Sequence, residues 1–398
     1  MRIRYEKKQN GKLIKKAMVY TRDEHRINFD DVDRDAVFIT SRLRANGYES
    51  YVVGGAVRDL ILGKKPKDFD IVTEATPARI KRIFRNSRII GRRFRLVHVF
   101  FGPKIFEVST FRSLKDGPTS NTYGTIEEDV QRRDFSFNAL FYDPGKQVVV
   151  DYVNGMGDIR KKILRPIIPA DLIFKDDPVR MIRAIKYAAA GDFKIPWLLG
   201  RRIRKEAPLL KEISASRLTE ELAKIIHSAH AAKIVEALED AGLYGYLQKE
   251  ASELLKKNPA FRSSYLRSLA DSSAEPGEGK ALAALIRDYL ELKTPWEELQ
   301  RGSWEDYRAV FFDVRRFIFP MNPPRLELDR SVRLIFSGHG IELKKRALFE
   351  RDRRSTGESR PPRSEGSPRL RETPAEQGTG STRRRRRRRK NTLPLPPT

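Results

Sequence analysis

The stretch YVVGGAVRDLILGKKPKDFDIVTEATP, residues 51 to 77, changes character several times along its length. SYVV, from Ser50, reads as a short strand, Gly54-Gly55 as a tight turn, and AVRDLIL as a helix closed at Gly63. That order aims backbone N–H groups outward from a helix N-terminus, and glycine lets a phosphate come close. Further on, Asp68 and Asp70 stand one residue apart on an expected strand, so both side chains leave one face while Phe69 turns to the core. Neighbouring carboxylates repel unless positive charge lies between them. A pair of Mg²⁺ ions would supply it, one activating an attacking hydroxyl and the other neutralising a triphosphate and its leaving pyrophosphate. Taken alone, Asp-x-Asp after the polar KKPKD reads more readily as a solvated turn than as a metal site. A phosphate turn, a cation at Arg58 and an acidic pair in close succession make a mechanistic unit.

Outward from this stretch, apolar residues at Val32, Ala36, Val37, Ile39 and Leu43 recur at helical spacing and predict a helix over 31–46. FDIVT, RLVHVFF, IFEVSTF and QVVVDYV are short runs rich in Val, Ile and Phe between Gly, Pro and charged turns, and predict strands. Past Pro166 the strand signals nearly vanish, and DDPVRMIRAIKYAAAG, SRLTEELAKIIHSAHAAKIVEALEDAG and GKALAALIRDYLEL are helical in period, with Gly242 placed as a helix stop. The fold class expected is α+β. Residues 1–30 would be a loosely held basic extension and 31–165 a head with a mixed sheet. A helical neck (166–230), a helical body (231–350) and a disordered Arg-rich tail (351–398) would follow.

The 398 residues carry a formal net charge of +27, which calls for a partner rich in negative charge, nucleic acid first and an anionic membrane surface second. The chain has no cysteine, which excludes disulfides, thiolate zinc and cysteine nucleophiles. Its five histidines, His25, His98, His227, His230 and His339, lack metal-ligand spacing, and His227 and His230 suit solvated or capping roles. Any metal should be a hard cation on carboxylates. MRIRYEKKQNGKLIKK lacks the apolar core of a signal peptide, and no segment is apolar for long enough to span a bilayer, so a soluble, cytoplasmic protein is expected.

GGAVRDLILGKKPKDFDIVTEATP closely resembles the head signature of the bacterial poly(A) polymerase and tRNA nucleotidyltransferase family, within the DNA polymerase beta-type nucleotidyltransferases. The resemblance continues through EVSTFR (107–112), RRDFSFNALFYD (132–143), DYVNGMGDI and DDPVRMIRAIKYAA, covering residues 25 to about 190 strongly and the helical body loosely. It implies Asp68 and Asp70 as metal-binding catalytic carboxylates and Asp134 as a further catalytic acid. Gly54, Gly55 and Arg58 would hold the triphosphate, Arg112 and Arg133 would orient phosphate or the acidic cluster, and Glu107 would be a supporting carboxylate. Asp177 and Arg180 would present hydrogen-bonding edges to the incoming base, with Arg183 one turn on. Asp177 before Pro178 is also an ordinary helix start, and both roles are compatible. Two departures from the family pattern are Asp176-Asp177 where Glu-Asp is usual, and KYAAAG where RFAAKL is common.

The cofactor implied is Mg²⁺ or Mn²⁺ and the substrate ATP, with RNA 3′ ends as acceptor. Poly(A) polymerases and CCA-adding enzymes share this head, so the aspartates do not separate them. IIGRRFRLVHVFFG (89–102), with Arg92, Arg93 and His98, resembles the polymerase version more closely, although His98 alone is more often structural. The unbroken basic run from Arg383 to Lys390 suits sequence-independent RNA binding, or equally an anionic lipid or a protein partner such as an RNA-decay protein. The expectation is therefore a template-independent adenylyltransferase, with a CCA- or A-adding tRNA enzyme as the alternative and a non-catalytic RNA-binding protein third. A monomer without membrane attachment is expected.

Overall fold

In the computed structural model, residues 2–7, 13–91, 96–113, 122–274, 279–299 and 303–343 are described. The segment 351–398, expected to be a disordered tail, lies outside the described residues, as do Arg92 and Arg93. Strands β1 (Arg2–Lys7), β2 (Leu13–Tyr20), β3 (Ser50–Val53), β4 (Asp70–Thr73), β5 (Ser87–Ile90), β6 (Leu96–Phe101), β7 (Lys104–Thr110), β8 (Leu140–Asp143) and β9 (Val148–Asp151) form one sheet. Their order is β1-β2-β9-β8-β3-β4-β7-β6-β5. Every neighbouring pair is antiparallel except β4 and β7, which run parallel, so the sheet is mixed.

One face carries Tyr51, Val53, Val72, Phe141 and Val150 against Ile126 and Val130 of the short helix Ile126–Gln131, all buried. The helices Arg34–Ala45 and Pro77–Ile83 pack on the sheet as well, burying Ile39, Leu43 and Ile80. Each fully buried side chain of this size contributes roughly 1.5–3 kcal/mol. After Asp151 no strand occurs among the described residues, and the chain continues in helices from Gly155–Lys161 to Arg325–Gly338. No described helix is long and apolar enough to cross a membrane.

The structure corrects the reading of residues 1–30 as loosely held. Met18, Val19 and Tyr20 pair with Asp151, Val150 and Val149, and β1 pairs with β2 beyond them. Buried His25 accepts the N–H of Ile27 at Nδ1 (3.0 Å), while its Nε2 lies 3.0 Å from the carbonyl of Gln147, which pins the segment to the β8–β9 turn. The basic composition that suggested an extension suits an edge, where Lys and Arg discourage pairing with another chain. β5 and β8 also lacked a strand signal. β8 is buried at all four positions and so cannot alternate, and β5 has only two apolar residues.

Arg44 fastens the helix Arg34–Ala45 to the sheet. Its guanidinium donates to the Ser50 carbonyl (2.7 Å) and to Asp143 Oδ2 (2.7 Å), and it lies over the Tyr51 ring. Asp143 is only 3% exposed. Arg44→Met should therefore cost about 3 kcal/mol by leaving a buried carboxylate without its cation. Adding Asp143→Asn should recover part of that loss; urea unfolding measures both, and a single variant within about 1 kcal/mol of the parent would contradict the assignment.

Candidate active site

Val53 ends β3, and the chain then turns through Gly54 at φ 71°, ψ −134° into the helix Gly55–Ile61. Side chains rarely adopt that positive φ, so glycine is required by the turn itself. A Cβ at Gly54 would stand 3.8 Å from Asp70 Oδ2 and 3.9 Å from Arg133 Nη1, so the turn, the carboxylate and the guanidinium meet at one place. The helix is only two turns long, and its dipole is correspondingly modest. The stronger cation is Arg58, which folds back to within 3.5 Å of where a Gly55 Cβ would be. Its guanidinium is held by Asp59 (2.9 Å) and Asn138 Oδ1 (2.9 Å), and lies 5.1 Å from the Tyr187 ring centroid.

The strand containing the acidic pair starts later than expected. Asp70 pairs with Val53, the last residue of β3. Because Gly54 turns away, Phe69 and Asp68 have no ladder partner, and Asp68 lies just ahead of the strand. Phe69 is buried, as its place between two carboxylates suggested. The parallel register that pairs Ile71 with Val108 sets Asp70 beside Glu107, and His98, opposite Glu107 on β6, lies 3.6 Å from its carboxylate.

Asp70 is an exposed residue. Even so, protein packed around the carboxyl withholds hydration, and Glu107 and Asp68 add like charge. Together they push its pKa up to about 6 against the pull of Arg133 and Lys224. Among the described residues no group of three or more His, Cys, Asp or Glu stands ready-made as a metal cage. Mg²⁺ does not require one, since it is commonly held by one or two carboxylates with phosphate oxygens and water completing the shell. Asp68 and Asp70 fit that donor set, and a cation there would relieve the crowding that raises Asp70.

Arg133 donates through Nε (3.2 Å) and Nη2 (2.9 Å) to Asp129 Oδ2, and the Arg112 backbone N–H reaches Asp129 Oδ1 at 3.3 Å. Arg112 is held below the usual arginine range by burial and then by Arg132 and Arg133. Asp129 thus gathers the Arg133 guanidinium and the Arg112 backbone, with Arg132 adding positive charge nearby, and Arg133 reaches the Gly54 turn. Asp129 was not singled out in the sequence, and neither was Asn138. Asn138 Nδ2 donates to Asp134 Oδ1 (3.2 Å) while its Oδ1 receives Arg58, so Asp134 is tied to Arg58.

Asp177 and Arg180 are brought close in sequence but engaged separately. Both oxygens of Asp177 lie 3.0 Å from Arg217 Nη2, and its Oδ1 accepts the Val179 N–H, the expected helix-start role. Arg180 pairs with Asp176 (2.6 Å) and donates to the Arg132 carbonyl (3.1 Å), linking the Val179–Gly191 helix to the arginine cluster. Arg183 and Lys186 both reach Glu221 on the helix Ala215–Ile226, at 2.9 and 2.6 Å. Burial works against the charge of Glu221, yet Lys186 and Arg183 hold its pKa down at about 2. Lys186 itself loses more to burial than Glu221 returns and sits below the usual lysine range. The paired ions are nonetheless what the geometry supports, because each Glu221 oxygen has its own cation. Arg217 and Glu221 carried no sequence signal, since their partners lie some forty residues away.

A glycine turn, a held arginine and neighbouring carboxylates thus meet beside one mixed sheet. Residues 50–165 match the family model described as "Poly A polymerase head domain", and residues 192–255 match "Probable RNA and SrmB- binding site of polymerase A". Through these segments the chain resembles bacterial poly(A) polymerases and tRNA nucleotidyltransferases. It is 41% identical over 242 residues to poly(A) polymerase I of Salmonella typhi, covering 57% of this chain and 52% of that protein. It is 35% identical over 241 residues to the CCA-adding enzyme of Geobacillus thermodenitrificans, covering 58% and 59%. The chain thus spans about half the length of the curated relatives it matches. The fold resembles that of the Bacillus stearothermophilus CCA-adding enzyme solved in complex with CTP, with TM-score 0.53 and 27% identity over 77% of this chain and 82% of that one.

Gly54→Ala should cost about 1–3 kcal/mol, because the turn needs a conformation alanine resists. Gly55→Ala would add only an ordinary contact with Arg58. Urea unfolding should separate the two, and equal losses would argue against a conformational limit at Gly54. Since the folded pKa of Glu221 is depressed, its contribution to stability is complete above about 4.5 and disappears as pH falls toward about 2. Glu221→Gln should flatten the stability profile in that window; an unaltered acid slope would remove Glu221 from the network.

Proposed function

We propose that the protein is a template-independent polynucleotide adenylyltransferase that adds AMP from ATP to RNA 3′ ends. The observation that carries this reading is the convergence of Gly54, Asp70 and Arg133 at one turn, with Asp68 just ahead of Asp70. In this role the Gly54-Gly55 backbone and Arg58 receive the triphosphate, and the Arg112–Arg132–Arg133 cluster balances its charge. Asp68 and Asp70 would hold Mg²⁺ or Mn²⁺, which when bound supplies Lewis acidity at the attacking hydroxyl and the leaving pyrophosphate. Asp134, through Asn138, keeps Arg58 aimed at the turn, and Glu107 adds negative charge that favours a cation beside Asp70. Asp177 and Arg180 offer edges for the incoming base from a helix made rigid by Arg217 and Glu221, so no nucleic-acid template is needed. The helical half grips RNA, with the basic segment beyond residue 351 adding sequence-independent attraction and a seat for RNA-decay proteins. A cytoplasmic monomer is part of the same reading.

Adenylate addition is favoured over CCA addition by the higher identity to poly(A) polymerase I, 41% against 35% over segments of nearly equal length. The second reading, CCA or A addition to tRNA, draws on the likeness of the fold to a CTP-bound CCA-adding enzyme. The two separate when purified protein with Mg²⁺ is given ATP or CTP, and either a generic RNA or a tRNA lacking its CCA end. Long A tails on generic RNA are expected; C addition confined to the tRNA would overturn the assignment. Asp70→Asn should lower extension by at least about a thousandfold while RNA binding persists, and near-normal extension by that variant would remove Asp70 from the site.

A further inference from the structure

Away from the acidic centre the sheet ends at β5, and its two faces differ there. On β6, His98 lies opposite both Glu107 of β7 and Arg88 of β5, so these three share the face of Asp70. Val97, Val99 and Phe101 alternate with His98 and turn to the other face, where the helices Arg34–Ala45 and Pro77–Ile83 pack. Phe101 meets Phe38 of the first of these helices edge-on, with ring centroids 5.9 Å apart, and Phe38 remains 48% exposed. Arg42 follows Phe38 by one helical turn.

Between these helices and the end of β6 opens a cavity of about 470 Å³, lined by Arg42, Arg82 and Arg85 together with Phe84, Phe100 and Phe101. Phe84 is buried and the other two rings are half-buried, so the floor is apolar. All three arginines are exposed, and their guanidinium groups have no hydrogen bond or ion pair among the described residues. The turn that bears Arg85 is fixed in place. Asn86 donates its amide to the Phe100 carbonyl (2.9 Å) and accepts the Phe100 N–H (3.0 Å), and Lys81 Nζ donates to the carbonyls of Arg85 and Ser87.

No carboxylate is among the lining residues. Asp33 and Asp35, at the start of the helix Arg34–Ala45, both bind Lys104, and from Asp35 to Arg42 the helix rises about 10 Å. Asp30 and Asp31 precede that helix start. Glu49 receives the Tyr51 hydroxyl and, with Glu74, lines a different cavity. Glu107 stands on the other face, beside His98. The helix Pro77–Ile83, the turn after it, β5 and β6 contain no acid.

Three like charges around one concavity raise its potential and draw anions. Guanidinium forks fit phosphate, and partly exposed rings among them offer faces to bases, the combination that holds single strands. A nucleic-acid strand is favoured over an acidic peptide because Arg88, exposed and also without an ion pair among the described residues, links the Asp70 face to this one at the edge of the sheet. From β4 to β5 is three strand spacings, roughly 15 Å.

We propose that the cavity between Arg42, Arg82 and Arg85 is a seat for single-stranded RNA, taking phosphates several nucleotides upstream of the 3′ end after the strand has rounded β5. It rests on the RNA-extending function above, and adds a contact on the face of the sheet that carries no chemistry.

The test uses the full chain, with affinity for a long fluorescent RNA of mixed sequence read by anisotropy in the absence of nucleotide. Arg42→Ala/Arg82→Ala/Arg85→Ala should lessen the slope of log affinity against log salt by about 2, for three phosphate contacts, and weaken binding at least about tenfold at low salt. Arg22→Ala/Arg267→Ala/Arg287→Ala removes the same charge from exposed positions on three other helices and should change both far less. 4-Thiouridine placed at successive positions should cross-link to residues 82–86 only when it lies away from the 3′ end. Undiminished affinity of the first triple variant overturns the seat, and so does equal loss in both, which would leave net charge alone at work. A dinucleotide primer, too short to round β5, reads the enzymatic assignment separately when ATP and Mg²⁺ are supplied. Parent and first triple variant should extend it equally; poor extension by the variant would place these arginines at the reacting end and overturn the seat. A parent that binds long RNA through the cavity yet extends no primer would sink the enzymatic assignment and not the seat.

Discussion

Negative charge crowded beside a backbone turn is the constraint around which this molecule is arranged. Asp70, Glu107 and Asp68 come together because a single parallel strand pair, β4 with β7, interrupts an otherwise antiparallel sheet. Protein packed around its carboxyl and the like charge of Glu107 and Asp68 raise the pKa of Asp70, an effect a cation there would oppose. Gly54 is part of the same constraint: its positive φ ends the ladder at Val53 and releases Asp68 from the strand.

Positive charge surrounds this acidic centre, but each guanidinium is held by something other than the centre itself. Arg58 is fixed by Asp59 and Asn138, and Arg133 by Asp129. Such prior anchoring matters chemically, because a cation that must reorganise on binding stabilises a transferring phosphoryl group less than one already in place. Arg132 and Arg180 extend the lattice, the Arg180 side chain donating to the Arg132 carbonyl. The Val179–Gly191 helix is therefore tied to the arginine cluster around Asp129. On the far side of that helix, Glu221 receives both Arg183 and Lys186, coupling it to the helical half of the chain.

Much of the head was legible in the sequence because its signals are local. Gly54-Gly55, Arg58 and the Asp-Phe-Asp run lie within a few residues of one another, and the alternation of Phe69 with its neighbours follows from strand geometry. Less was legible where a residue's role depends on a distant partner. Asp129 looks like one more surface acid of a capping helix until the fold surrounds it with Arg112, Arg132 and Arg133. The N-terminal strands looked like a basic extension because edge strands carry charge, and β8 gave no alternation because both its faces are covered.

By itself the sequence determined the order of most elements, the change from strand to helix past residue 166, and the residue types that gather at the candidate site. Backbone preferences and side-chain periods act over a few residues, and those features need nothing more. Only the tertiary structure decided which carboxylates meet, which arginines are committed, and that Arg42, Arg82 and Arg85 line one cavity. Electrostatic coupling and burial depend on distance in space, and the chain sets that distance only when it closes its long loops.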